Sequence, residues 1–398
     1  MNKSLMAARR IGAGKGRIAV AGHICLDIIP TMQDLPSGSR ASLAAGKLYA
    51  VGPVVVSTGG TVANVGIALH RLGLPVRLLG KVGDDLFGRA ILDVLSGHGR
   101  NLADDMIVSR GATSSYSVVI SPPGVDRTFL HCPGANDTFR AADLSDKSLA
   151  GCRLLHFGYP PLMKRMYADD GRELQRLLRR VKGLGLTTTL DMAMPDPDSP
   201  AGRCDWRAIL AGVLPYVDFF LPSLEETVQM LRCKPPGDVL DGDFLAKVAD
   251  ELLGWGVAGV VLKLGAAGLY LKTASDQVRL AACGAIGLDS VVWTGREMLA
   301  PCFRVQVAGT TGAGDCTIAG FLAGLAKGLP PPQALTAAVA VGACNVERHD
   351  ASSGIISWRQ VQRRISAGWK RLPTRSSLEG WRRDRREGVW LASGDPGR

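Results

Sequence analysis

The chain has 398 residues, 46% of them hydrophobic and 6% aromatic, with 49 glycines and a net charge of +11. This composition excludes an extended disordered chain and leaves room for a large aliphatic core in one α/β unit. The charge is not one folded binding face: residues 1–17 carry +5 and residues 359–398 carry +7, so residues 18–358 sum to −1.

Both basic ends read as solvated tails, although Trp369, Trp381 and Trp390 leave docking of the second on the body, or contact with an anionic partner, open. Nine cysteines without a CxxC pair indicate free thiols in a reducing compartment. The basic start lacks an uninterrupted apolar stretch, and no run reaches the roughly 18 apolar residues of a membrane helix. A cytoplasmic protein without a membrane contact is expected.

In chain order, "RIAVAGHICLDII" predicts a first buried strand, "TVANVGIALHRLG" a helix over 61–73, and "VRLLGKVG" a strand over 76–83. "DDLFGRAILDVLSGHG" gives a second helix. "RLLHFGY", "TTTLDMA", "VDFFLPS" and "GVVLKLG" each read as a strand ending in loop chemistry. Strands alternating with helices predict a mostly parallel sheet with helices on both faces, and ligands bind at the C-terminal edge of such sheets. Two segments differ. Residues 46–58 and 113–132 alternate like exposed antiparallel strands, the second folding back through "PPGVD". They predict a small inserted β lid, with an ordinary surface hairpin as the alternative.

The chemistry concentrates in "GTTGAGDCTIAG", residues 309–320. A glycine-rich loop enters a helix near Asp315, and first-turn amides lack intrahelical partners. The amides of Gly312, Ala313 and Gly314 can therefore hold phosphoryl oxygens. The loop lacks the lysine of a Walker GxxxxGK[ST] motif. Asp315 fits another need, since phosphoryl transfer to an alcohol requires a group that takes the hydroxyl proton. The bland alternative is a helix N-cap aspartate.

At this point the chain resembles the PfkB carbohydrate kinases, the ribokinase-like family. "GTTGAGD…AG" matches their C-terminal signature except at its first position, and "GGTVANVGIALHRLG" with "GKVGDDLFG" matches the N-terminal one. The resemblance covers roughly 18–358. It implies a ribokinase-like α/β domain there, with lid strands within about 30–58 and 113–132, and leaves the basic tail at 1–17 and the basic extension at 359–398 outside. It assigns Asp315 as catalytic base and Gly312, Ala313 and Gly314 as anion hole. It places Asp27, Gly59, Gly60, Asn64 and Asn136 at the substrate. It places Ser223, Glu226, Lys263, Gly265, Gly268, Thr310 and Asn345 at the nucleotide, with Glu226 organising magnesium through water.

Three departures stand out. Gly309 replaces an aspartate tied to the monovalent-cation site, which argues against potassium activation. Ser223 replaces the asparagine of N-x-x-E, and "LDMAMPD" keeps Asp191 without the D-x-N-x-R run. The reading is an ATP- and Mg²⁺-dependent kinase of a hydroxymethyl group on a small sugar or related polyol, with a homodimer through the lid open. A nucleoside kinase of the same fold is the alternative, with Tyr49, Tyr116, Phe129 and Tyr159 as candidates for a base slot. A non-catalytic sugar- or nucleotide-binding regulator is the rival from another class.

Overall fold

The computed structural model describes residues 16–32, 45–121, 128–234, 241–374 and 377–397. Apart from Gly16 and Arg17, the N-terminal tail lies outside them, as does the "PPGVD" turn.

Short Val-, Ile- and Leu-rich runs, buried along nearly their whole length, form a ten-stranded sheet. Such runs suit a sheet covered on both faces. Its order is Arg382–Asp384, Val389–Leu391, Glu297–Ala300, Leu269–Thr273, Gly259–Lys263, Phe219–Phe220, Thr187–Asp191, Cys152–Gly158, Arg17–Gly22 and Val76–Leu79. The last six strands are mutually parallel, and the pairs beyond Gly259–Lys263 are antiparallel. Alternate residues of one strand feed two cores: Ile18 and Val20 point to one, Ala19 and Ala21 to the other.

Helices Ala313–Ala326 and Pro331–Asn345 pack closely because small residues line their crossing. A Cβ on Gly320 would stand 2.8 Å from the Ala338 Cα. Both helices are buried on nearly every side, so they read as apolar all round rather than striped.

The predicted lid exists as a four-stranded sheet, ordered Val54–Gly59, Cys25–Pro30, Tyr116–Ile120 and Thr128–Cys132. Two strand expectations need correction. "RIAVAGHICLDII" is two strands, the first in the large sheet and the second, Cys25–Pro30, in the lid. The chain crosses at Gly22, whose φ of 123° and approach to the Gly158 carbonyl, 2.3 Å from where a Cβ would sit, only glycine permits. Residues 76–83 likewise split at Gly80, and Lys81–Gly83 pairs instead with Ile107–Ser109.

Of the two readings of the basic C-terminal segment, its described residues take the docked one. Trp358–Ser366 is helical, and Arg382–Asp384 and Val389–Leu391 extend the large sheet from Glu297–Ala300. Trp369 stacks on Phe303 at 4.5 Å, Trp381 packs beside Gly242, and Trp390 lies in register with Leu299. Asp395 is 2% exposed and accepts from the Arg296 guanidinium at 3.0 Å and the Glu297 amide at 2.8 Å. No helix among the described residues is long and apolar enough to cross a membrane. All nine cysteines are unpaired.

Candidate active site

Helix Ala313–Ala326 begins two residues before Asp315, with Gly312 as N-cap in the left-handed region at φ 70°. A Cβ there would meet the Ala351 carbonyl at 2.7 Å, so the turn requires glycine. Asp315 is therefore not the cap. Its carboxylate is 4% exposed and accepts from Asn64 Nδ2 at 2.9 Å and from the Tyr159 hydroxyl, 2.9 Å from both oxygens. Burial pushes its pKa up, and the bonds from Asn64 and Tyr159 and the charge of Lys263 oppose that shift.

Three expected donors form the loop, and one is already used. The Ala313 amide donates to the Thr310 carbonyl at 3.2 Å. The amides of Gly312, Gly314 and Asp315 meet no acceptor among the described residues. They sit at the positive end of a helix, which favours an anion.

These groups open on a cavity of about 580 Å³ at the C-terminal edge of the parallel strands. It gathers Ser223, Glu226, Lys263, Gly265, Thr310 and residues 312–315 from three separate stretches of sequence, together with Tyr159. Lys263 Nζ is 2.6 Å from Asp191 Oδ1, and the carboxylate is fully buried. Burial alone would lower the lysine pKa, but Asp191, Glu226 and Asp315 hold it above its ordinary value, so the ammonium stays charged. Burial raises Asp191, and Lys263 opposes it.

Ser223 and Glu226 form a reciprocal cap on helix Leu224–Leu231. The Glu226 amide donates to Ser223 Oγ at 3.1 Å, and the Ser223 amide donates to Glu226 Oε2 at 2.7 Å. The cap fixes where the Glu226 carboxylate enters the cavity. A hard carboxylate oxygen facing a phosphate cradle is the donor chemistry magnesium takes, with water completing its shell.

Toward the lid, Gly59 exists to give Asp27 room: a Cβ would lie 2.4 Å from Asp27 Oδ2. Burial pushes the Asp27 carboxyl up to about 6 against bonds from Cys25 and Ser117. Gly60, at φ 86°, starts helix Thr61–Arg71 against His23. His23 in turn faces Tyr159, at 6.1 Å between ring centres, and His131 of the lid, at 3.4 Å between Nε2 atoms. Ser117 Oγ lies 3.0 Å from His131 Nδ1.

Three expected site residues stand behind this surface. Asn136 is fully buried, and its side-chain amide is spent on the Ile24 backbone, accepting at 3.3 Å and donating at 2.9 Å. It clamps the crossover into the lid. Asn345, also fully buried, donates to the Thr311 carbonyl at 2.7 Å and so braces the glycine loop from below. Gly268, at φ 116°, turns the chain against Ala300 and Pro301.

Tyr159 is the contact of Asp315 that sequence reasoning did not find. It follows a predicted strand at the ligand-binding edge, which is the signal that marked its place but not its partner. Its backbone is left-handed, φ 66° and ψ 42°, an uncommon conformation for a non-glycine residue.

Residues 15–358 match the family described as pfkB family carbohydrate kinase. A ribokinase of Schizosaccharomyces pombe is 24% identical over 351 residues, covering 86% of this chain and 96% of that protein. A 2-dehydro-3-deoxygluconokinase of Thermoproteus tenax is 27% identical over 312 residues, covering 77% and 85%. The structure of Arabidopsis thaliana ribokinase complexed with ribose and ATP superposes with a TM-score of 0.67 at 17% identity, over 88% of this chain and 98% of that one.

Proposed function

We propose a reaction on one premise: this chain belongs to the pfkB family of carbohydrate kinases, ATP-dependent phosphotransferases acting on hydroxyl groups. It moves the γ-phosphoryl of ATP to a hydroxymethyl group of a small polyhydroxylated substrate, within a catalytic body spanning about 18–358. A bond forms between the acceptor oxygen and phosphorus, the bond to the ADP oxygen breaks, and the acceptor proton passes to Asp315. The amides of Gly312 and Gly314 and the Lys263 ammonium stabilise charge on the transferring group. Asp27 and Asn64 orient substrate hydroxyls, with Gly59 and Gly60 letting substrate approach. Thr310 and Gly265 line the nucleotide side. Magnesium, held through water by Glu226, neutralises phosphate charge when bound. With Gly309 at the head of the loop, turnover is expected to be indifferent to sodium or potassium.

The observation that carries this reading is one buried carboxylate in the first turn of a helix where the amides of Gly312, Gly314 and Asp315 meet no acceptor among the described residues. A sugar is favoured over a nucleoside because Tyr159, Tyr116 and Phe129 do not gather into a slot. Tyr159 is bonded to Asp315, Tyr116 packs on Phe87, and Phe129 is 54% exposed on the outer lid strand. Exposed Val54, Val55 and Val56 on the other outer strand support pairing of two lids. The unpaired thiols support a reducing, cytoplasmic setting.

ADP release from Mg·ATP, measured against sugars, keto-deoxy sugar acids and nucleosides, tests the assignment. Turnover with a sugar or sugar acid is expected; turnover with nucleosides alone would replace it. Tyr159→Phe gives a second check. Its hydroxyl donates to the ionised carboxylate and so lowers the Asp315 pKa; without it that pKa rises. The acidic limb of the kcat/KM profile should therefore move to higher pH, with kcat falling by roughly tenfold. An unmoved limb would limit Tyr159 to packing.

A further inference from the structure

We propose that the crevice between Pro301–Arg304 and the C-terminal strands is a second ligand site, built for a small phosphorylated metabolite carrying at least two phosphate groups. The crevice encloses about 690 Å³ and is lined by Arg304, Arg371 and Arg383, with Trp390, Leu378 and Pro373 as apolar walls. That volume suits a small metabolite rather than a polymer, which needs an open stripe of charge.

Three guanidinium groups line this crevice and no carboxylate among the described residues does, although Glu387 acts on Arg371 from nearby. Among the described residues none of them forms an ion pair, although eight other arginines do. Arg371 is the fixed member. It donates to the carbonyls of Pro301 at 2.7 Å and Glu387 at 2.8 Å and to Thr336 Oγ1 at 2.7 Å, and it stacks over Phe303 at 4.3 Å. Those bonds use three of its five N–H groups, leaving two for a ligand. Burial pulls its guanidinium down to about 10 against opposing contributions from Cys302 and Glu387, and the neighbouring Arg383 charge acts in the same sense as burial. A bound anion would relieve both effects.

Arg304 and Arg383 are exposed and line the same crevice. Arg304 follows Phe303, which pairs with Arg371, while Arg383 lies in register with Trp390. A planar fork matches two phosphate oxygens at once, so the free forks of Arg304 and Arg383, with single N–H groups of Arg371 beside them, suit two phosphate groups better than one. Arg371, Arg383 and Trp390 all follow the family-matched segment, so the site belongs to the C-terminal strands and not to the kinase cavity.

Titration calorimetry on the full chain tests this, with fructose 1,6-bisphosphate as the probe and Mg·AMP-PNP present to fill the nucleotide site. Binding of one probe per chain is expected. The double variant Arg304→Ala/Arg383→Ala, whose changes are at exposed positions, should weaken it at least about tenfold. Asp315→Asn should leave it unchanged. Equal affinity in the double variant, or no binding to the wild type, would overturn the site. Binding of a single-stranded oligonucleotide without binding of the bisphosphate would overturn the ligand class. The titration needs no turnover, so failure of the kinase reading would appear separately, as activity surviving Asp315→Asn.

Discussion

Replacing Asp315 with asparagine is expected to lower kcat by roughly 10²–10⁴-fold while the protein stays folded. The substitution keeps the side-chain shape but removes the only group in the first helical turn that can take a proton. Asn64 and Tyr159 already donate to both carboxylate oxygens, so an amide there must turn one donor toward another donor. Stability should move the other way. Burial raises the Asp315 pKa above its unfolded value, so the folded state disfavours the ionised form and loses stability as pH rises through that interval. A neutral side chain escapes this penalty. At neutral pH the variant should melt at or above the wild-type temperature with activity nearly gone. Wild-type turnover in the variant would end the assignment of Asp315 as base.

Lys263→Met should cost both fold and function, and the two losses can be separated. The ammonium is the charged partner of Asp191 at 2.6 Å, and Asp191 is fully buried. Removing it strands a buried carboxylate, at a cost of about 3–5 kcal/mol near neutral pH. Burial already raises the Asp191 pKa, so protonation offers a way out, and the deficit should shrink as pH falls. Adding Asp191→Asn should recover most of the stability, as read from denaturant midpoints. Activity should not return, because Lys263 Nζ lies beside Gly314 in the anion loop. A loss in kcat/KM for ATP of about 10²-fold should persist in the double variant. A double variant as unstable as the single one would show that the ion pair is not the source of the cost.

Much of this arrangement was legible because it is local. The glycine turn into helix Ala313–Ala326, the alternating lid strands and the strand-end loops each announce themselves within about a dozen residues. Pairings across long stretches of chain were not legible: Tyr159 meets Asp315 from 156 positions away. Ser223 shows a different limit. "SLEE" carries the S-x-x-E spacing of a capping box, but measured against a family motif it read only as a substitution. Asn136 had the right residue type for binding hydroxyls, and only its burial against Ile24 shows where its bonds go. The C-terminal strands were hidden by their charge. The exposed Arg382 and Arg383 themselves pair in register with Leu391 and Trp390 at the sheet edge, and composition does not distinguish a charged strand from a charged tail.

The left-handed backbone at Tyr159 bears on how this protein would respond to artificial selection. A bulky residue in that conformation costs on the order of 1 kcal/mol that glycine or asparagine would not. A library screened only for heat resistance should therefore accumulate glycine or asparagine at position 159. Those winners would have shed the hydroxyl that faces Asp315, so the most durable clones should be among the slowest.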